Sequence, residues 1–257
     1  MRSSADTSVI ELYHQAEDDF FVAISQLYRQ FGSSLSAYCT GVEASSLNLL
    51  LVKQADPELA SQLAQGIDFL QRTQMPFCVV VRDTLVAQVH EQLQQQQLLA
   101  SDQTTCMHLD LTTWQAAGTA PGQVDIRCTD QHLDDWSRPV ASAFESGEEG
   151  IGQYLARHRA ALAAGRSLRH FSLYVEQLPV CSLTLSLGPG VARLDDIGTQ
   201  REYQHRGYAS ALIQHALACA KVEGAQCCVL EASIDGLSIY RRAGFATLFE
   251  YTTFCRE

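Results

Sequence analysis

The stretch that decides the fold is IGTQREYQHRGYAS, Ile197–Ser210. It follows an apolar run, 191–197, that predicts a β-strand, and it leads into a strongly helical segment, 210–223. The first N–H groups of a helix have no partner within the helix, and the helix dipole adds partial positive charge there. Because Gly207 lets an anion approach the backbone without a side chain in the way, this strand–loop–helix unit predicts a phosphate-binding site.

The spacing within the loop is specific. Gln204, Gly207 and Ala209 form the pattern Gln-x-x-Gly-x-Ala, and Arg206 can add positive charge at its rim. This pattern resembles the motif with which the GNAT superfamily of acyl-CoA-dependent N-acyltransferases holds the pyrophosphate of coenzyme A. The resemblance implies that the cofactor is bound by the loop and the helix start, which comprise Gln204, His205, Arg206, Gly207, Tyr208, Ala209 and Ser210.

A second motif lies further along the chain, in LEASIDGLSIYRRAGF, Leu230–Phe245. It predicts a buried strand, a helix cap at Asp235, a short helix over 237–243 and a stop at Gly244. This order is similar to the GNAT segment whose tyrosine lies near the thioester. The resemblance therefore implies that Tyr240 lies at the reacting end of the cofactor.

The resemblance covers residues 124–257 and implies an α/β fold: a GNAT-like mixed, mostly antiparallel central sheet with helices on both faces. In such folds the pantetheine arm of the cofactor pairs with the main chain of a splayed central strand. By resemblance that role falls to Ile197, Gly198 and Thr199, and Gly198 would tolerate close approach of the ligand.

The first half of the chain, residues 1–118, is expected to form a smaller α/β domain. Helix-like and strand-like patterns alternate along it, beginning with a helix predicted over 17–31. Some GNAT proteins carry an N-terminal half that is a degenerate copy of the fold, and this half could be one. The segment 116–123, AAGTAPGQ, is rich in small and helix-breaking residues and predicts the boundary between the two domains.

Composition narrows the function classes. The 257 residues suit two domains, and a net charge of −11 argues against binding to nucleic acid. No apolar stretch is long enough to cross a membrane, and the N-terminus lacks the apolar segment of a signal peptide, so we expect a cytoplasmic protein. The nine cysteines are scattered without a Cys-x-x-Cys, which predicts neither a disulfide framework nor a bound metal.

Acyl transfer to an amine needs a proton donor and a proton acceptor. Tyr240 is the candidate general acid, because a phenol with a pKa of about 10 keeps its proton at neutral pH; the alternative is an aromatic side chain that only packs. Asp195, Asp196 and Glu202 are candidates for the general base, and water is another. Strand alternation would put Asp195 and Asp196 on opposite faces, so that at most one of them faces the site.

Three further features carry weaker predictions. His205 lies in the phosphate loop and is expected to add hydrogen bonds, whereas His215 lies within the next helix and is expected to be structural. The acidic residues Glu145, Glu148 and Glu149 could bind the ammonium group of an acceptor, or could form a solvated loop.

Together these patterns predict an N-acetyltransferase that moves an acetyl group from acetyl-CoA to a primary amine of a small molecule or a protein. The alternative is a non-catalytic module that binds or senses acyl-CoA. Tyr240 favours the enzyme, since a binding module has no need of a proton donor at the thioester. The sequence indicates neither the acceptor nor the oligomeric state.

Overall fold

The structure is a computed structural model that describes residues 4–116 and 124–256. Its helices are α1 Ser4–Ile24, α2 Leu59–Gln71, α3 Val86–Gln95, α4 Leu133–Ala143, α5 Glu148–Ala163, α6 Tyr208–Val222 and α7 Leu237–Ala243. Its strands are β1 Leu27–Phe31, β2 Leu35–Cys39, β3 Asn48–Val52, β4 Cys78–Arg82, β5 Leu99–Asp110, β6 Asp125–Cys128, β7 Leu168–Val175, β8 Leu178–Gly188, β9 Val191–Thr199, β10 Cys227–Ala232 and β11 Ala246–Cys255.

All of these strands form one sheet in the order β1-β2-β3-β4-β11-β5-β10-β9-β8-β7-β6. The sheet is mostly antiparallel, and the described strands pair in parallel only at β3–β4 and β9–β10. Both parallel pairs arise in the same way, because a helix (α2 or α6) connects their two strands across one face of the sheet. The predicted fold class is therefore confirmed, and the two halves of the chain repeat one topology.

The last strands of the two halves are exchanged. β11, from the end of the chain, lies between β4 and β5, while β5 lies between β11 and β10. A disulfide between Cys78 and Cys255 adds a covalent link between β4 and β11, which the scattered cysteines did not predict. The predicted domains, 1–118 and 124–257, stay a prediction, and most of their predicted boundary, 117–123, lies outside the described residues.

Helices cover both faces of the sheet. On one face α1, α4 and α5 share a single apolar core with the sheet, and this core includes Trp136, Tyr154 and Phe20. On the other face α2 and α3 cover the first half, while α6 and α7 cover the second. None of the described helices is both long and apolar enough to cross a membrane.

The predicted helix over 17–31 is wrong in its second part. The helix α1 ends at Ile24, and 27–31 form the edge strand β1, where Leu27 and Tyr28 are exposed. The chain leaves the helix because the Gln26 N–H donates to the carbonyl of Cys39, 2.8 Å away, and thereby enters sheet pairing. Apolar spacing could not show this, since an edge strand can leave apolar side chains in solvent.

Candidate active site at the end of strand β9

The site begins where β9 and β10 separate. The two strands pair from Val191 and Cys227 to Leu194 and Leu230, and β9 then continues for five residues, 195–199, beyond that pairing. A wedge therefore opens between the strands. Main-chain groups on the β10 side of 195–199 can hydrogen-bond an extended ligand.

A β-bulge shapes the first residues of this extension. Thr184 of β8 lies opposite Asp195, whereas Ser182 lies opposite Gly198, so that Asp196 and Ile197 together face one residue of β8. Asp196 has a φ of 55°, in the left-handed region that side chains rarely adopt. The bulge breaks the alternation of side chains along β9.

The prediction that Asp195 and Asp196 lie on opposite faces is therefore wrong. Asp195 accepts hydrogen bonds from Arg193 at 2.9 and 3.1 Å, and Arg193 contacts aromatic rings of α1. Asp196 accepts from the Tyr154 hydroxyl of α5 and from the Thr184 hydroxyl, each at 2.8 Å. Both carboxylates thus lie on the face covered by α1 and α5.

The predicted phosphate loop connects β9 to α6. His205 and Gly207 have φ values of 61° and 82°, so the backbone turns sharply twice before the helix begins at Tyr208. The first helical hydrogen bond runs from the Ala211 N–H to the Gly207 carbonyl, and no side chain caps the helix start. The N–H groups of the first turn, 208–210, are consequently available to an anion.

Side chains of the loop hold its shape. Gln204 donates to the Thr199 carbonyl at 3.3 Å, which connects the loop to the end of β9. Arg206 donates to the Glu202 carbonyl at 2.9 Å and lies 5.2 Å from the centre of the Tyr203 ring. His205 and Arg206 are exposed, so the side chain of each can move toward a bound phosphate.

Gly198 has a packing role that the sequence did not indicate. A Cβ at this position would lie 2.8 Å from the Pro139 carbonyl oxygen and 3.0 Å from the Ala143 Cβ. The helix α4 therefore packs directly on this part of β9 and requires a glycine there. Close approach of a ligand to Gly198 from the other side stays a prediction.

Tyr240 lies on α7, the helix that follows β10, and is close enough to Asp195 of β9 and Cys181 of β8 to interact with them electrostatically. The side chain is buried, with 8% of its surface exposed, and its ring meets Phe245 edge-on at 6.2 Å. Burial, together with nearby Cys181 and Asp195, raises the pKa of the phenol well above 10. No hydrogen bond to the Tyr240 hydroxyl is found among the described residues.

The start of α7 differs from the prediction. The residue that directly precedes the helix is Gly236 and not Asp235, and the Gly236 N–H donates to the Ser233 hydroxyl at 3.3 Å.

The carboxylates near the wedge differ in environment. Burial raises the pKa of Asp195 to about 7 against the opposing effect of Arg193, and burial also raises the pKa of Asp196. Glu202 is exposed in the loop. Glu231 was not among the residues predicted from the sequence. It follows Leu230, the last residue of β10 that pairs with β9, just as Asp195 follows Leu194 of β9. Burial raises the pKa of Glu231 as well.

The remaining predicted residues lie around this site. His215 packs edge-on against Phe171, and burial lowers its pKa, so it is a neutral side chain in a structural position. Glu145 pairs with Arg201 at 2.8 Å across the surface, while Glu148 and Glu149 begin α5. No group of three or more metal-binding side chains is present in the part of the chain that the structure describes.

The comparisons with known proteins agree with this geometry. Residues 170–245, which include the wedge, the loop and Tyr240, match the sequence profile of the Acetyltransferase (GNAT) family. These residues form a GNAT acetyltransferase domain. No curated protein matches the sequence of the chain significantly.

Solved GNAT structures share the fold of the whole chain. A GCN5-related N-acetyltransferase from Kribbella flavida is similar with a TM-score of 0.71 at 12% identity, over 96% of this chain and 95% of that one. A GCN5-related N-acetyltransferase from Sphaerobacter thermophilus has a TM-score of 0.63 at 16% identity, over 86% and 76%. A tandem GNAT protein from the clavulanic acid biosynthesis pathway has a TM-score of 0.60 at 12% identity, over 88% and 80%.

Proposed function

We propose that the protein transfers an acetyl group from acetyl-CoA to a primary amine. The observation that carries this proposal is the uncapped start of α6, which follows the strand β9 that extends beyond its pairing with β10, together with Tyr240 on α7 near Asp195. A GNAT domain supports acyltransferase activity in general. The acetyl group and the amine acceptor are our more specific proposal.

In this proposal the pyrophosphate of coenzyme A binds the N–H groups at the start of α6, in the loop formed by Gln204, His205, Arg206, Gly207, Tyr208, Ala209 and Ser210. The positive end of the helix dipole and the exposed Arg206 both favour a phosphate there. The pantetheine arm extends along the main chain of 197–199, which places the thioester near Asp196 and Tyr240.

The chemistry then follows from the groups around the thioester. The amine nitrogen forms a bond to the carbonyl carbon, the carbon–sulfur bond breaks, and a carboxylate of β9 takes the proton that the amine loses. Tyr240 donates a hydrogen bond to the sulfur as charge develops on it. Because a thiol has a pKa of about 8.5, complete proton transfer from a phenol of higher pKa is uphill, and the benefit arises while the bond is breaking.

The experiment is thiol release from acetyl-CoA with spermidine, tyramine, glucosamine and a lysine-containing peptide, with cofactor binding measured in parallel. Acetyl-CoA is compared with longer acyl-CoA molecules in the same assay. Release that depends on an amine supports the enzyme. Tight binding without release for any amine contradicts it and favours a module that senses acyl-CoA.

The proposal includes the cytoplasm as the place of action, which the seven free cysteines of the described residues favour. The disulfide between Cys78 and Cys255 is the one observation that weighs against a reducing compartment. Cell fractionation together with labelling of free thiols tests this part of the proposal.

A further inference from the structure

Four side chains form a line from the protein surface to the candidate active site. The Asp130 Oδ1 lies 2.8 Å from the Nδ1 of His170, and the Nε2 of His170 lies 2.8 Å from the Nδ1 of His158. The Nε2 of His158 faces the Oδ2 of Asp196 at 3.8 Å. Asp130 is partly exposed, both histidines are fully buried, and Asp196 lies at the wedge.

The hydrogen-bonding groups fix the direction of this line. A carboxylate only accepts, so the Nδ1 of His170 donates to Asp130, which also accepts the His170 backbone N–H at 2.7 Å. In a neutral imidazole the other nitrogen is then an acceptor, and it receives the Nδ1–H of His158. The Nε2 of His158 is therefore left with a free lone pair that faces Asp196.

This lone pair is the unusual feature. The Nε2 of His158 is buried and has no hydrogen-bond partner among the described residues. A polar network that only stabilises a core satisfies its members, because an unpartnered buried nitrogen is costly. The Nε2 of His158 is instead free to accept a proton from the Asp196 carboxyl group that it faces, and to return it.

The charges around the line agree with this direction. Although burial opposes it, hydrogen bonds from His170 lower the pKa of Asp130, which stays ionised. Burial raises the pKa of Asp196 and, together with His170, lowers the pKa of His158. A proton is thus favoured on Asp196 and a positive charge is disfavoured on the His158 ring, while the ionised Asp130 can stabilise a positive charge on the His170 that it contacts.

The surroundings exclude water from the middle of the line. The ring of His158 packs against aromatic rings of three helices: Phe20 of α1, Trp136 of α4 and Tyr154 of α5. The charged groups that act on the line from neighbouring elements are Arg157 of α5, and Arg193 and Asp195 of β9.

We propose that Asp130, His170 and His158 hold the proton that the amine loses, an inference that rests on the proposed acetyl transfer. Asp196 takes the proton as the carbon–nitrogen bond forms and passes it to the Nε2 of His158. His158 gives its Nδ1 proton to the Nε2 of His170, so that His170 becomes an imidazolium beside the Asp130 carboxylate. After product release the same steps run in reverse and return the proton to Asp196, from which water removes it.

Asp196 is the group that meets the substrate, and the other three are positioning residues that act through it. Asp195 is less suited to this role, because its carboxylate forms an ion pair with the Arg193 guanidinium, whereas Asp196 is the carboxylate that faces the Nε2 of His158. The relay keeps the positive charge on His170, beside the Asp130 carboxylate, which is partly exposed. It therefore avoids a positive charge on the ring of His158, which has no adjacent ionised partner within hydrogen-bond distance in the described part of the chain.

The test compares His158→Gln and Asp130→Asn with His215→Gln, a matched control in which the histidine lies outside the line. Rates are measured from pH 5.5 to 9 with the fastest amine of the panel, and acetyl-CoA affinity by calorimetry. We expect kcat to fall about tenfold or more in His158→Gln with unchanged cofactor affinity. In Asp130→Asn, a variant at a partly exposed position, the rate falls and its acidic limb moves to lower pH, because the relay binds a proton less well.

Two outcomes would overturn the relay alone. The first is a wild-type protein that acetylates an amine together with a His158→Gln variant whose rate is within threefold of the wild-type rate over the whole pH range. The second is nitrogen NMR that finds the Nε2–H tautomer of His158 at pH 8. The NMR experiment needs no turnover, and the proposal predicts the Nδ1–H tautomer for both buried histidines. Wild-type protein that binds acetyl-CoA yet acetylates no amine overturns the proposed function, and the relay with it.

Discussion

The loop after β3 and the loop after β9 occupy equivalent places in the two halves of the chain. Each connects a strand to a helix, α2 or α6, that crosses the sheet and leads to a parallel strand. The second loop has the features of an anion site, whereas the first does not. Their differences identify the local residues on which the proposed cofactor binding depends.

The first loop is closed and acidic. β3 pairs with β4 up to its last residue, Val52, so that no wedge opens beyond the pairing. The Asp56 carboxylate accepts the N–H of Glu58 at 2.8 Å at the start of α2, and these two acidic side chains would repel a phosphate. Lys53 is buried and bonded to Asp18, Ser36 and Tyr38, so its charge is already paired.

The two halves also differ at the wall of the wedge. Tyr240 is the fourth residue of α7, which follows β10, and the fourth residue of α3, which follows β4, is Val89. Val89 is buried and has no group that could donate a proton. Shared topology thus places both positions, and the residue type decides whether chemistry is available there.

The largest expected effect concerns that difference in side chain. Tyr240→Phe removes only the hydroxyl, and we expect kcat to fall about a hundredfold or more while cofactor affinity stays the same. Tyr174→Phe is the matched control, since its hydroxyl donates to Asp135 of α4 and not to a residue of the candidate site. Steady-state kinetics that find Tyr240→Phe within threefold of wild type would leave Tyr240 as a packing residue.

The second effect concerns the loop. Gly207→Val places a branched side chain at a φ of 82° in front of the helix start, and we expect acetyl-CoA to bind about tenfold more weakly or worse. Gly224→Val is the control, because Gly224 has a φ of 89° with open space around it at the other end of α6. Equal losses of affinity in the two variants would attribute the effect to backbone strain.

The third effect concerns Asp195 and Asp196 of β9. No carboxylate occupies the equivalent place at the end of β3, which is followed by Lys53. The base must be ionised to act, and burial raises the pKa of Asp196 and raises that of Asp195 to about 7, so kcat/KM should still rise with pH where an ordinary carboxyl is already ionised. Asp196→Asn should lower the rate and remove this limb. A profile that is flat between pH 6 and 8 in the wild type would exclude Asp195, and a rate and profile unchanged in Asp196→Asn would exclude Asp196.

The smallest effect concerns charge at the rim of the second loop. Arg206 is exposed, and its guanidinium donates to a main-chain carbonyl and lies over the Tyr203 ring, so Arg206→Ala should weaken cofactor binding by about threefold or less. The loss should shrink at high salt, because an exposed charge is screened. Titrations at low and high ionic strength check this, and an undiminished loss in high salt would indicate a buried contact.

Local patterns predicted a loop between β9 and α6 and a short helix that carries Tyr240, because short spacings and helix boundaries record these features directly. The roles of the loop in phosphate binding and of Tyr240 in catalysis stay predictions. The exchange of β5 and β11 could not be predicted, since both strands have the same kind of pattern and only long-range pairing decides their neighbours. The bulge at Asp196 was also invisible, because a positive φ at a residue other than glycine leaves no mark in the sequence.

The relay is a clear example of what a single sequence hides. Asp130, His158, His170 and Asp196 belong to a loop, a helix and two strands, and they meet only because α5 packs onto the sheet beside β7. Each is unremarkable in its own segment. Their chemistry depends on burial and on hydrogen-bond direction, which require the folded chain.

We propose that acetyl-CoA binds at the loop after β9, in the second half of the chain, and not at the loop after β3, in the first half, although the two halves share one topology. A calorimetric titration of the wild-type protein with acetyl-CoA tests it most directly. We expect one molecule of acetyl-CoA to bind per chain, with no second binding event at higher acetyl-CoA concentration. Two molecules per chain, or one molecule whose affinity changes when Asp56 is replaced but not when Gly207 is, would contradict it.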